Sequence, residues 1–140
     1  MLIITDSQRL PITCSDPISG NHNDAYQLVD TVDLMLKNIT KSKIKTEGLF
    51  LNADSGFHTK EFRNSCFSND IIDNIAFNKR NNDENESIFD ELLYGQRFVI
   101  ERTNAWLDAF KALLIRFETN KIHWKALHLL AFSVILLRRL

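Results

Sequence analysis

Residues 91–117 read ELLYGQRFVIERTNAWLDAFKALLIRF, and their spacing sets the fold. At about 100° per residue the stretch divides into two faces. Val99, Ile100, Trp106, Leu107, Phe110, Leu113, Leu114 and Phe117 fall on one broad apolar stripe. Tyr94, Arg97, Glu101, Asn104 and Asp108 fall opposite, within a band roughly 80° wide. The reading is a long amphipathic helix with its apolar side on a core. Its polar side aligns a phenol, a guanidinium, a carboxylate and an amide, whereas an ordinary solvated face scatters Lys and Glu. Arg97 and Glu101 are four residues apart and can interact side by side. On spacing alone the row is equally a surface helix with one weak ion pair.

Working outward, NKRNNDENE (residues 78–86) precedes this helix as a polar loop with little means of burying itself. Before it, residues 71–77 read as a strand. Further back, GLFLNA (residues 48–53) reads as a short buried strand that ends at Asp54. Ser55 and Gly56 break it, and residues 59–67 read as a short helix. A carboxylate at the carboxyl end of a central strand stands where open α/β sheets place ligands. It is equally a cap for the next helix.

At the front, residues 2–5 and 10–14 read as strands of a hairpin, with Asp6 at its tip. Pro17, Gly20 and several Asn and Asp residues make a loop of residues 15–24. A helix is expected from about residue 25 to 38, with Asn23 or Asp24 as its cap. Leu28, Val29, Val32, Leu36 and Ile39 form its apolar face. His22 lies at the loop tip, where a structuring role and a catalytic or DNA-contacting one are the alternatives. Lys41, Lys43 and Lys45 follow in a hydrophilic connection. Beyond residue 117, Thr119 and Asn120 mark a break. A last helix is expected over residues 122–139, bearing Trp124, Leu127, Leu130, Val134 and Leu137.

Length and composition suit one domain over residues 1–140 with a sizeable core. The net charge of −1 gives no global basic field, so any nucleic-acid contact must be local. Cys14 and Cys66 lack metal-type spacing and read as free thiols of a reducing cytoplasm. Met1 leads into LIIT without a basic region or cleavage site, so no secretory leader is expected. LLAFSVILL (residues 129–137) is too short for a membrane span.

The spacing Tyr94, Arg97, Glu101 resembles the Y-x2-R-x3-E signature of bacterial insertion-sequence transposases of the DDE type. The ERTNAWL run resembles one branch of that family. Members usually carry Lys or Arg seven residues after the Glu, where this chain has Asp108, and Lys111 is the nearest base. LNADSGF resembles the strand and turn that bear the family's second catalytic Asp, here Asp54. GNHND resembles the family's G-N-x-x-D stretch. The resemblance covers nearly the whole chain. It implies an α/β, RNase H-like mixed sheet with flanking helices, here lacking its first strand.

The implied activity is DNA transposition by metal-dependent phosphodiester cleavage and strand transfer. Two divalent ions about 4 Å apart can activate the attacking oxygen and steady the leaving one. Mg²⁺ or Mn²⁺ needs hard oxygen ligands, and Asp54 and Glu101 would supply two of three carboxylates. Arg97 would hold Glu101 or contact phosphate, and Tyr94 and Asn104 would orient the DNA end. The family's first Asp lies on the first strand of the sheet, and Asp6, at a hairpin tip, is not assigned to it. The metal is therefore expected only in a complete site. This chain would be the carboxyl-terminal portion or second reading frame of the enzyme. Its partners would be insertion-sequence ends, target DNA, the amino-terminal half and further copies of itself, with no membrane. The alternative is an inactive remnant acting at most as a DNA-binding or self-associating module. A different RNase H-like nuclease fits the Tyr94 to Trp106 pattern less well.

Overall fold

The computed structural model describes residues 1–22, 25–77 and 89–139. The chain opens with a hairpin in which β1 (Ile3–Thr5) pairs antiparallel with β2 (Pro11–Cys14). Asp6 shapes its tip, where Oδ1 accepts from the amides of Gln8 and Leu10, each at 2.8 Å. A short carboxylate that bonds its own following backbone is a standard turn device.

The chain forms two compact units, Met1–Ser19 with Phe98–Leu140, and Gly20–Arg97. In the first, the hairpin packs on α4 (Val99–Asp108) and α6 (Lys121–Leu137), with α5 (Lys111–Leu114) between them in sequence. Cys14, Leu107, Ala131, Phe132 and Ile135 make the core, and Met1, Ile3, Leu10, Trp106, Phe110 and Leu113 pack around it. Thr103, fully buried, donates from Oγ1 to the Arg9 carbonyl at 2.6 Å and ties α4 to the hairpin. Asn120 caps α6 by accepting from Ile122 N at 2.9 Å. Lys125 Nζ reaches Asp16 Oδ1 at 2.7 Å.

The face of α6 that is buried differs from the expected one. His128, Ala131, Phe132 and Ile135 face the core, while Leu130 and Leu137 are exposed. The helix is apolar nearly all round, so its periodicity does not select a side.

In the second unit, α1 (Leu28–Lys41) buries Leu28, Val32, Met35 and Ile39. It starts later than expected, because Gln27 takes a left-handed conformation (φ 47°) just before it. The expected cap at Asn23 or Asp24, like the loop of residues 78–86, lies outside the described residues. β3 (Phe50–Ala53) pairs in parallel with β4 (Ile72–Ile75), and α2 (Lys60–Ser68) connects them, as parallel pairing requires. Thr59 caps α2 by accepting from Phe62 N at 3.2 Å, and Phe62 and Cys66 are buried. Burial pushes the Cys66 thiol up to about 12, and both cysteines are free. The strands are more open than expected: Phe50 is 42% and Ile72 56% exposed.

The α/β class and the strand–helix order hold, and they are consistent with an RNase H-like fragment. Among the described residues the strands lie in two two-stranded sheets, one antiparallel and one parallel.

Residues 91–117 do not form one helix. They divide into α3 (Glu91–Tyr94), a 3₁₀ turn (Gly95–Phe98), α4 and α5. Gly95 costs about 1 kcal/mol in a helix interior relative to Ala, and a tighter turn is a common outcome at such a point. The second break is at Phe110, whose backbone is extended (φ −88°, ψ 99°). Phe110 and Leu113 both pack on the core there, whereas Leu114 and Phe117 stay exposed. The apolar stripe is therefore used only in part.

Candidate catalytic site

Asp54 follows the last residue of β3 directly, at the carboxyl end of the parallel pair. Its backbone is extended, and its Oδ1 accepts from Ser55 N at 2.7 Å, capping the 3₁₀ turn Ser55–Phe57. The same oxygen accepts from the Tyr94 hydroxyl at 3.3 Å. Among the described residues Oδ2 makes no hydrogen bond, and the residue is exposed. The two readings of this carboxylate are therefore compatible: one oxygen caps, and the other faces solvent.

Tyr94 closes α3 and is half-buried. Its ring lies 5.0 Å from that of Phe89, and the Arg97 guanidinium sits 4.5 Å over it. Such a cation over an aromatic face is attracted by the ring quadrupole. Burial raises the phenol above its ordinary value; Arg97 pulls it down and the Asp54 charge pushes it up again. The phenol is thus kept protonated and able to donate to Asp54.

What places α3 is a pair of asparagines that the sequence reading did not single out. Asn52 on β3 and Asn74 on β4 are register partners. Asn74, 1% exposed, donates from Nδ2 to Asn52 Oδ1 at 2.8 Å and to the Asp90 carbonyl at 2.9 Å. Its Oδ1 accepts from Asp90 N at 2.9 Å. Asn52 Nδ2 donates to the Leu93 carbonyl at 2.9 Å. Asp90 then caps α3, accepting from Leu93 N at 2.9 Å. The available signal was an amide at the third position of each of two short apolar strands, where a strand core prefers Val or Ile.

Glu101 lies on the first turn of α4, in the other unit from Asp54. It is exposed and makes no hydrogen bond or ion pair among the described residues. Asn104, Asp108 and Lys111 are exposed as well. The expected single row is thus carried by separate elements: Tyr94 ends α3, Arg97 belongs to the 3₁₀ turn, and Glu101, Asn104 and Asp108 share α4. His22 stacks on Tyr26, with ring centroids 3.6 Å apart.

A divalent hard cation is matched by solvent-facing carboxylate oxygens. Asp54 Oδ2 and the Glu101 carboxylate are of that kind. Among the described residues no group of three or more His, Cys, Asp or Glu is gathered as a ready-made metal cage.

The family model for the transposase DDE domain matches residues 1–136. The chain belongs to the transposase DDE domain family. Comparison with curated proteins and with solved structures returned no match. Membership makes this a transposase domain, acting in DNA transposition and recombination, with DNA as partner. Transposases of this family generally work with a divalent metal. Among the described residues of this transposase domain, no helix is long and apolar enough to cross a membrane.

Proposed function

We propose that Asp54 and Glu101 are two of the three metal-holding carboxylates of this transposase domain, which carries out phosphodiester cleavage and strand transfer. The observation that carries the reading is the setting of Asp54. It stands at the carboxyl end of a parallel strand, with one oxygen fixed by Ser55 and Tyr94 and the other facing outward. Mg²⁺ or Mn²⁺ bound there would activate the attacking oxygen and steady the leaving one. Tyr94 holds Asp54 in orientation, and Arg97, stacked on Tyr94, contributes a positive charge toward phosphate or toward Glu101. Asn104 orients the DNA end.

The rest of the assignment follows the resemblance. The domain spans residues 1–140 and is the carboxyl-terminal portion, or second reading frame, of an insertion-sequence transposase. The third carboxylate comes from a strand that pairs ahead of β1, supplied by the amino-terminal half. The DNA bound is that of the element's ends and of the target, and copies of the chain associate on it, in the cytoplasm.

The test is Mg²⁺-dependent nicking of supercoiled DNA carrying the element's ends, with the preceding coding segment supplied. Nicking that disappears in Asp54→Asn and in Glu101→Gln supports the reading. Nicking that persists at full rate in either variant, or that never depends on the metal, overturns it.

A further inference from the structure

We propose that Asn52 and Asn74 are positioning residues, an amide clamp that draws the start of α3 onto the β3–β4 pair and so sets the Tyr94 hydroxyl against Asp54. The proposal rests on Asp54 being a metal-holding carboxylate, and it deepens that reading by naming what orients it.

The geometry is a closed circuit of hydrogen bonds. Asn74 grips both backbone groups of Asp90, donating to the carbonyl and accepting from the amide, each at 2.9 Å. Asn52 holds the Leu93 carbonyl at 2.9 Å, and the two side chains bond each other at 2.8 Å. Residues 90 and 93 are therefore fixed at both ends of one helical turn, and residue 94 follows at once. Helix α3 is only Glu91–Tyr94, too short to hold its own conformation without outside support. The clamp supplies that support from β3, the strand that directly precedes Asp54, and from β4. Asn52 lies on β3 and Asp54 follows it by two residues, just past the end of the strand.

The consequence is chemical. A carboxylate free to rotate presents either oxygen to a cation. With Oδ1 taken by Ser55 N and by the Tyr94 hydroxyl, Oδ2 is the one presented. Outer groups that fix a metal-ligating carboxylate commonly alter metal affinity tenfold or more when removed. Asn52→Ala leaves both Asn74–Asp90 bonds in place and removes the hold on Leu93 and the bond between the two asparagines, so it is the milder variant. Asn74→Ala is the harsher one, since it removes a buried side chain.

The experiment uses the full chain with ¹³C-labelled tyrosine. The chain has two tyrosines, so Tyr94→Phe assigns the resonance and Tyr26 serves as internal reference. In Asn52→Ala the Tyr94 phenol carbon is expected to move toward the position of exposed Tyr26, while Tyr26 itself stays in place. Mn²⁺ titration with the preceding coding segment supplied, read by broadening of the Ser55 amide, is expected to show about tenfold weaker binding in Asn52→Ala than in the wild type. A Tyr94 resonance unchanged in Asn52→Ala and in a folded Asn74→Ala overturns the clamp. A Tyr94 resonance that moves with no change in Mn²⁺ affinity overturns its positioning role. Absence of Mn²⁺ broadening at Ser55 in the wild type, with the Tyr94 shift intact, contradicts the metal reading and leaves the clamp supported.

Discussion

The Tyr94 hydroxyl donates to Asp54 Oδ1 at 3.3 Å, across 40 positions of sequence. The two most specific parts of the resemblance are the LNADSGF turn and the Tyr94, Arg97, Glu101 row, and this bond joins the first to the Tyr94 end of the second. Both partners lie in the unit Gly20–Arg97, so the half of the proposed site around Asp54 is built within one compact body. The bond is supported from behind by Phe89 and Arg97 against the Tyr94 ring.

Tyr94→Phe keeps the ring and its packing and removes only the hydroxyl. Because the bond is half-exposed, the loss of stability is expected to be about 1 kcal/mol or less by urea denaturation. Metal-dependent nicking is expected to fall roughly tenfold, because an unanchored carboxylate spends less time in the working orientation. A variant as fast as the wild type would show that the hydroxyl has no part in the reaction.

Asn74→Ala strands the Asp90 amide, the Asp90 carbonyl and the Asn52 side chain, which lose partners together. Each buried polar group left unpaired costs about 1–3 kcal/mol, and grouped losses couple. Destabilisation of roughly 3 kcal/mol is expected from the midpoint and slope of urea unfolding. A change within 0.5 kcal/mol, the usual range at unremarkable surface sites, would mean that the network contributes little.

Arg63 links α2 to β4. Its guanidinium pairs with Asp73, donates to the Ile75 carbonyl at 2.7 Å, and lies 5.1 Å over the Phe77 ring. Both side chains of the pair are mostly buried. Arg63→Met leaves the Asp73 carboxylate without its partner, a change that costs about 3 kcal/mol or more. Thermal unfolding followed by circular dichroism checks this. Arg63→Lys should restore only part of the loss, because an ammonium cannot serve carboxylate, carbonyl and ring together.

His128 gives stability a pH dependence. Burial lowers it below its ordinary 6.5, against the opposing pull of the Trp124 carbonyl at 2.9 Å. A histidine depressed in the folded state favours the neutral ring. Its contribution is complete above 6.5 and is lost as pH falls through the lowered folded value. Melting temperatures measured from neutral to mildly acid pH should therefore fall, and His128→Leu should flatten part of that slope. An identical slope in the variant would contradict the assignment.

The element order was legible because hydrophobic runs, turn residues and caps coincide along this chain. The short helix expected from Thr59 and the break expected at Asn120 both hold, and each of these residues caps the helix that follows it. The place of Asp54 directly after a strand was legible because the apolar run GLFLNA stops there. The breaks in residues 91–117 were not, because periodicity sums over a window and does not register one extended residue such as Phe110. Asn52 and Asn74 were missed because their meaning lies in the pairing register, which joins positions 22 apart. Thr103 was not singled out either, because its hydroxyl finds the Arg9 carbonyl through a contact that exists only in three dimensions.

The most direct test of the central claim asks whether Asp54 and Glu101 share bound metal. With the preceding coding segment supplied, Mn²⁺ is added to the ¹⁵N-labelled chain, and the amides of Ser55 and Arg102, each next to one carboxylate, are followed by paramagnetic broadening. The account predicts that both broaden together at the same metal concentration, and that Asp54→Asn weakens the effect at Arg102 as well as at Ser55. Broadening at Arg102 that is untouched by Asp54→Asn would mean the two carboxylates act apart, and would contradict the account.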